Sequence, residues 1–241
     1  MKKYIIGGVL LVIALGWGML FVTERFSNFS YAGTLEYNKT IVASKVANDL
    51  IYNPLNEGDF VKEGQVIARI NDDIYQVNAK QLNADYERYL ELYKRKAVPK
   101  ADLDSIERQK LENDLKLEWC EVKAPISGMA LTVYRELGDY VSQGSALVSI
   151  ADPYKIWAYF YLPYDKIHKL RPGDVVWGSL QEVPNRKFKG KILKINEEAE
   201  FTPKNVQTRE ERTRLVYGVK VQFENEDLAL KAGMTMEADF D

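Results

Sequence analysis

The sequence predicts a mainly β protein with an inserted α-helical hairpin, preceded by one membrane-spanning helix. Three observations predict it: a short β phrase that occurs twice, a charged stretch between the two copies that lacks Gly and Pro until Pro99, and a run of alternating strands after Asp152. The 241 residues are 46% hydrophobic, enough for one large core or several small ones and too much for a disordered chain.

The N-terminus predicts the membrane helix. After Met1, Lys2 and Lys3, the stretch from Tyr4 to Val22 carries no charge until Glu24. At about 1.5 Å per residue it would span roughly 28 Å, close to the hydrocarbon thickness. Trp17, Met19, Leu20 and Phe21 stand where a cleaved signal peptide needs small residues, and no cysteine follows to carry a lipid. Lys2 and Lys3 are expected to stay in the cytoplasm, which places everything after Phe26 across the membrane. Residues 1–26 are therefore read as a cytoplasmic start and a single-pass anchor.

The repeated phrase comes next. "GDFVKEGQVIARI", Gly58 to Ile70, returns as "GDYVSQGSALVSI", Gly138 to Ile150, at an offset of eighty. The match extends upstream, with Ser44 to Ile51 answered by Ala124 to Leu131. Gly58-Asp59, Gly138-Asp139, Gly64 and Gly144 have tight-turn composition, and Gly128, in the upstream part of the second copy, is read as a turn residue with them. Val66, Ala68 and Ile70 alternate with other residues, as do Ala146, Val148 and Ile150, which predicts strands with one face buried. Each copy is too small to bury its own face, so the two are expected to pair about a pseudo-twofold into one β-sandwich, residues 27–72 and 120–152.

Between them, residues 73–119 predict two helices. Tyr75, Ala79, Leu82, Tyr86, Tyr89 and Tyr93 fall at spacings of three and four, a heptad seam. Pro99 ends that run, and Lys100-Ala101-Asp102 opens a second one with the seam Leu103, Ile106, Lys110, Asn113, Leu117 and Cys120. Leu111, Leu115 and Trp119 offer a competing stripe. Because the two β halves must meet, the helices must go out and return as an antiparallel coiled-coil hairpin, about 35 Å long.

After Asp152 come strands at Lys155 to Pro163, Asp174 to Leu180, Phe188 to Asn196, Leu215 to Glu224 and Met234 to Asp241, with one short helix from Tyr164 to Leu170. They predict a small β-barrel over residues 153–241, with Glu200 to Arg214 as a polar loop.

Composition and motifs also exclude. The net charge is −2, and the sequence shows no basic stripe interleaved with aromatics, so nucleic acid is not an expected partner. One cysteine allows no intramolecular disulfide, and Cys120 reads as a small apolar residue. His168 stands alone, while Met234 and Met236 read as core or surface, so no metal site is expected. Glu197, Glu198 and Glu200 have no nucleophile beside them, and no catalytic residue or cofactor is expected. A swinging-arm carrier domain needs a lysine on the turn joining its halves, but Asn71-Asp72-Asp73 holds none, and Lys80 and Lys116 lie within the helical stretches.

The layout resembles the periplasmic adaptor or membrane fusion proteins, the HlyD-like family. The resemblance is carried by "EGDFVKEGQVIARI" (57–70), "VKAPISGMA" (122–130), "ELGDYVSQGSALVSI" (136–150), "LRPGDVV" (170–176) and "LKAGMTMEADF" (230–240). It implies a lipoyl-like sandwich and a non-enzymatic function in efflux or secretion. Such adaptors sit in the inner membrane with most of the chain in the periplasm. They form homo-oligomers, typically hexamers, and link an inner-membrane transporter to an outer-membrane TolC-like channel. The loop "FTPKNVQTREER" is similar to that of the subgroup serving ABC transporters. The resemblance leaves open a proton-driven pump of the RND or MFS type, and an envelope scaffold without a transporter is the rival function. Many members carry an Arg, a Leu and a Ser at the hairpin tip, and this register falls on Arg88, Leu92 and Pro99. The Ser position departs. With Lys94, Arg95, Lys96 and Lys100 these residues concentrate positive charge at the reversal and form the candidate partner-binding tip.

Overall fold

The computed structural model describes residues 31–201 and 215–240. The expected anchor and most of the polar loop before Leu215 lie outside the described residues. No helix among the described residues is long and apolar enough to cross a membrane. The chain divides into two compact units, residues 38–153 and residues 31–37 with 154–240, and the division falls inside two long strands.

The first unit is the sandwich. Its strands are the latter part of β1 (Tyr31–Ala43), β2 (Asn48–Tyr52), β3 (Phe60–Val61), β4 (Val66–Ile70), β5 (Glu121–Lys123), β6 (Gly128–Val133), β7 (Tyr140–Val141) and the first part of β8 (Ala146–Leu162). One sheet has the order β5-β4-β2-β7, and the other contains β3-β6-β8 with β1 beside β8. Leu50, Ile67, Ile70, Ala130, Val141 and Ile150 form the centre of the core between them.

The expected alternation needs correcting in both copies: on β8, Leu147 and Ser149 are buried along with Val148 and Ile150. Ile67 is as buried as Ile70, because the pairing of β4 with β5 shifts between Val66 and Ala68 and turns an extra side chain inward.

The pseudo-twofold is written in the hydrogen bonds. β3 pairs with β6 (Phe60↔Met129) and β2 pairs with β7 (Asp49↔Tyr140), the same contact with the halves exchanged. The glycine turns repeat the exchange. The Gly58 amide donates to the Ala130 carbonyl and the Gly138 amide to the Leu50 carbonyl, each at 2.8 Å. Gly64 and Ala124 are bonded likewise, as are Gly144 and Ser44. Each of the four glycines has a positive φ, between +79° and +94°, which a side chain would strain.

Gly128 is different: it opens β6 rather than making a turn, and a Cβ there would lie 2.3 Å from the Ala151 carbonyl oxygen. Its role is close approach of backbones, which corrects its reading as a turn residue.

The second unit contains the start of β1, the end of β8, α3 (Tyr164–Ile167), β9 (Val175–Leu180), β10 (Val183–Ile195), β11 (Glu200–Phe201), β12 (Leu215–Glu224) and β13 (Thr235–Asp239). Neighbours run β1-β13-β9-β10-β12-β8, with β1 again beside β8, so six strands close a barrel. Tyr31 pairs with Ala238, which moves the first residues of β1 from the expected sandwich into this unit. Phe160 lies at the centre of the core, with Phe223 and Phe240 edge-on to it at 6.1 and 5.3 Å. The sandwich turn recurs here: Gly173 and Gly233, both at positive φ, donate to Ile192 and Leu35.

Replacing Gly58 by Ala introduces only backbone strain, since open space surrounds its Cβ position; the expected cost is about 1–3 kcal/mol. Gly128→Ala drives a methyl into backbone and is expected to cost more than Gly58→Ala. Urea unfolding of the two variants in detergent checks this order.

Candidate docking site on the helical pair

The insert folds as α1 (Asp73–Lys94) and α2 (Lys100–Cys120). At 22 and 21 residues they are slightly shorter than the expected arms. β4 leads into α1 and α2 leads into β5, and β4 pairs with β5 through Arg69↔Glu121, so the helices start and end side by side and run antiparallel. A salt bridge of 3.2 Å between Arg69 and Glu121 reinforces that base. Asn71 accepts from the Asp73 amide where the first helix begins.

Burial identifies the packed faces. Tyr75, Ala79, Leu82, Tyr86 and Tyr89 are half-buried, but Tyr93 is exposed and Leu92 takes the covered position in the last turn. On α2 the seam containing polar members is the covered one: Leu103, Asn113 and Cys120 are buried, whereas Leu111 and Leu115 of the competing stripe are exposed. Asn113 is buried because its side-chain amide donates to the Tyr75 carbonyl at 2.9 Å. Sequence periodicity cannot rank two stripes when a polar residue has a backbone partner on the facing helix.

Cys120 belongs to the sandwich core. Its Sγ donates to the Lys116 carbonyl at 3.2 Å. Burial, and after it the Asp72 carboxylate, push the thiol up to about 11, so at pH 8 roughly one molecule in a thousand is a thiolate. Beside it, Ile41, Lys45, Trp119 and Pro125 help line an open groove of about 340 Å³, with the Lys45 ammonium 5.7 Å from the Trp119 ring centroid.

The reversal between the helices is built by backbone bonds. The Lys96 amide donates to Tyr93 and the Ala97 amide to Leu92, both at 2.8 Å, which is the Schellman arrangement at a helix C-terminus. Lys96 holds the left-handed position at φ +59°, where Gly is usual. The sequence reading assigned Lys96 a charge to present, and the structure adds a conformational role that composition did not signal. Pro99 caps α2 with φ −71° and ψ 156°. It has no side-chain acceptor for the first helical amides, which a Ser would supply.

The tip cations divide into two sets. Arg88 is paired with Asp85 on its own helix and lies over the Tyr89 ring, and Lys94 holds Glu91 at 2.9 Å. That bond holds the Glu91 carboxyl below the usual carboxylate range. Arg95, Lys96 and Lys100 are exposed and have no ion pair among the described residues. Leu92, the apolar member of the tip register, is half-buried in the seam rather than presented.

Residues 38–152 match the family described as "RND MFP, barrel-sandwich hybrid domain", and residues 155–241 match "CusB-like, beta-barrel domain". The chain belongs to the membrane fusion protein family. A curated relative of this membrane fusion protein, the UPF0194 membrane protein Ent638_1286 of Enterobacter sp. (strain 638), is 30% identical over 144 residues, 60% of this chain and 44% of the relative. The chain thus spans less than half the length of the relatives it matches. Among solved structures, a MacA-MexA chimera containing the Pseudomonas aeruginosa MexA α-hairpin domain has a TM-score of 0.64 at 19% identity, covering 89% of this chain and 82% of the chimera. The periplasmic adaptor protein EmrA has a TM-score of 0.51 at 13% identity, covering 87% and 97%. These likenesses are of fold.

Two outcomes follow for this membrane fusion protein. Lys96→Gly relieves the left-handed strain and is expected to stabilise the helical pair by up to about 1 kcal/mol, whereas Lys96→Val destabilises it; thermal unfolding followed by helical circular dichroism reads both. Cys120 is expected to react with iodoacetamide at pH 8 at least about a hundredfold more slowly than a free cysteine, and at the ordinary rate once unfolded.

Proposed function

We propose that this membrane fusion protein is a periplasmic adaptor of an export system, anchored in the inner membrane by residues 4–22. It assembles as a ring, a hexamer by its resemblance to the family. The ring links an inner-membrane transporter to a TolC-like outer-membrane channel through the hairpin tips. The observation that carries this reading is the tip itself: an antiparallel helical pair, fixed at its base by paired strands, ends in Arg95, Lys96 and Lys100, exposed and without ion pairs among the described residues.

The α1 helix of 22 residues extends about 33 Å, a short arm, so the channel supplies part of the span. A single exposed ion pair contributes about 0–1 kcal/mol. Tip docking therefore depends on several copies presented at once by a ring.

An ABC-type transporter is the favoured partner, supported by the resemblance of the loop before Leu215. The second reading is an RND-type pump, supported by the description of the family that matches residues 38–152. Mild-detergent purification of the full chain from its native membrane, with mass spectrometry of what accompanies it, separates these readings from a scaffold lacking any transporter. The double charge reversal Arg95→Glu with Lys100→Glu is expected to lower recovery of the channel at least about tenfold while recovery of the transporter and the helical signal stay unchanged. Undiminished channel recovery sinks the tip assignment.

A further inference from the structure

The barrel gathers on one wall a charge pattern that the sequence reading did not separate from the scattered lysines. Along β10, Phe188, Gly190 and Ile192 are buried, while Lys187, Lys189 and Lys191 between them are exposed. The register then shifts between Ile192 and Lys194, and this bulge returns Lys194 to the outer face opposite Lys220. Four lysines thus stand on one strand, at intervals of about 7 Å where the strand is regular. None of the four has an ion pair among the described residues. Like charges sharing one face of a sheet repel one another, so the wall is arranged for an anionic partner.

Apolar side chains accompany the charge. Trp177 lies opposite Lys189 and Val175 opposite Lys191, and each is more than half exposed, at 52% and 53%. Acidic residues enter at the margin, where Asp239 and Glu237 of β13 face Trp177 and Ser179. On the other side Lys220 is already held, with its ammonium 3.7 Å from the Trp157 ring centroid.

We infer that this wall, Lys187, Lys189, Lys191 and Lys194 with Trp177 and Val175, lies on the surface of a bilayer and binds anionic lipid headgroups. The length of chain before the barrel supports that occupant. Tyr31 is already a barrel residue, and only Thr23 to Ser30 separate it from the apolar stretch that ends at Val22. Eight residues reach at most about 28 Å when fully extended, so an inserted anchor keeps the barrel unit close to the headgroups. The chemistry agrees. The cations are all lysines, compact charges on flexible apolar stems that suit diffuse phosphates, where a carboxylate-bearing protein surface is better met by the arginine fork. Trp beside Lys is the composition of a membrane interface.

The inference rests on the anchor reading above. The full chain is placed in lipid discs of phosphatidylcholine alone or with about 30% phosphatidylglycerol, and its lysines are acylated in short pulses and read by peptide mass spectrometry. One lysine at a bilayer surface changes binding by about fivefold. Labelling at Lys187, Lys189, Lys191 and Lys194 is therefore expected to slow about tenfold or more with phosphatidylglycerol. It should recover in about 0.5 M salt, with Lys62 and Lys96 unaffected throughout. In the Lys189→Gln/Lys191→Gln chain, whose changes are at exposed positions, the protection of Lys187 and Lys194 should disappear. Equal labelling in the two kinds of disc, or protection that survives the double substitution, overturns the lipid contact while leaving the anchor standing. Recovery of the chain outside the discs overturns the anchor and the lipid contact together. Protection in native membranes but in neither disc assigns the wall to an acidic protein surface instead, and likewise overturns the lipid assignment.

Discussion

The sandwich depends on an exchange of hydrogen bonds between its two halves. The Gly58 turn is bonded to Ala130 and the Gly138 turn to Leu50, and the Gly64 and Gly144 turns are exchanged in the same way. Each turn also closes on itself: Asp59 and Asp139 accept from the amides of Asn56 and Glu136 through their carboxylates. Neither half can satisfy its own turn glycines, so both must be present before either is complete. The segment joining them is therefore free to be long, since closing a longer loop costs only logarithmically more. The chain uses this freedom to insert a helical pair whose two ends are held together by β4 and β5.

The barrel uses the same turn for a different end. Asp174 accepts from the Arg171 amide as its sandwich counterparts do, and the Gly173 amide reaches Ile192. Gly233 reaches Leu35 on β1, which binds the last turn of the chain to the first described strand. Closure through β12 and β8 then leaves the six barrel strands without an open edge. One local solution, a glycine at positive φ whose amide is donated to a neighbouring strand, thus serves two architectures. In the sandwich it joins repeated halves, and in the barrel it ties the turns before β9 and β13 to β10 and β1.

Much of this was legible because it is local or periodic. The duplicated phrase gave the turns and the pairing of halves, and Pro99 marked the reversal. What escaped the sequence depends on distant partners. β1 lies outside the repeated phrase and is placed by pairing with β13 at the far end of the chain. Gly128 resembles a turn glycine until Ala151 is packed against it. Lys96 is one of several tip cations by composition, and only the Leu92 and Tyr93 carbonyls reveal its backbone role. The lysines of β10 are dispersed in sequence by Phe188, Gly190 and Ile192, residues that the barrel removes from the surface.

Register is what the helical pair secures, at some expense of stability. A seam with Asn113 and Lys110 is weaker than one made of leucines, and Leu111 and Leu115 were available to build such a seam. A half-turn rotation of α2 would cover them, but it would give up the bond from the Asn113 amide to the Tyr75 carbonyl, which only the observed rotation makes. A buried polar pair near the base thus selects one rotation of the second helix. That rotation decides which residues face outward along the whole arm. The reversal from Leu92 to Pro99 is short and held by its own backbone bonds, so it passes the setting on to the exposed cations with little play. A surface of weak individual contacts is useful only if every copy presents the same face, and Asn113, at the opposite end of the helices from the tip, makes that face the same each time.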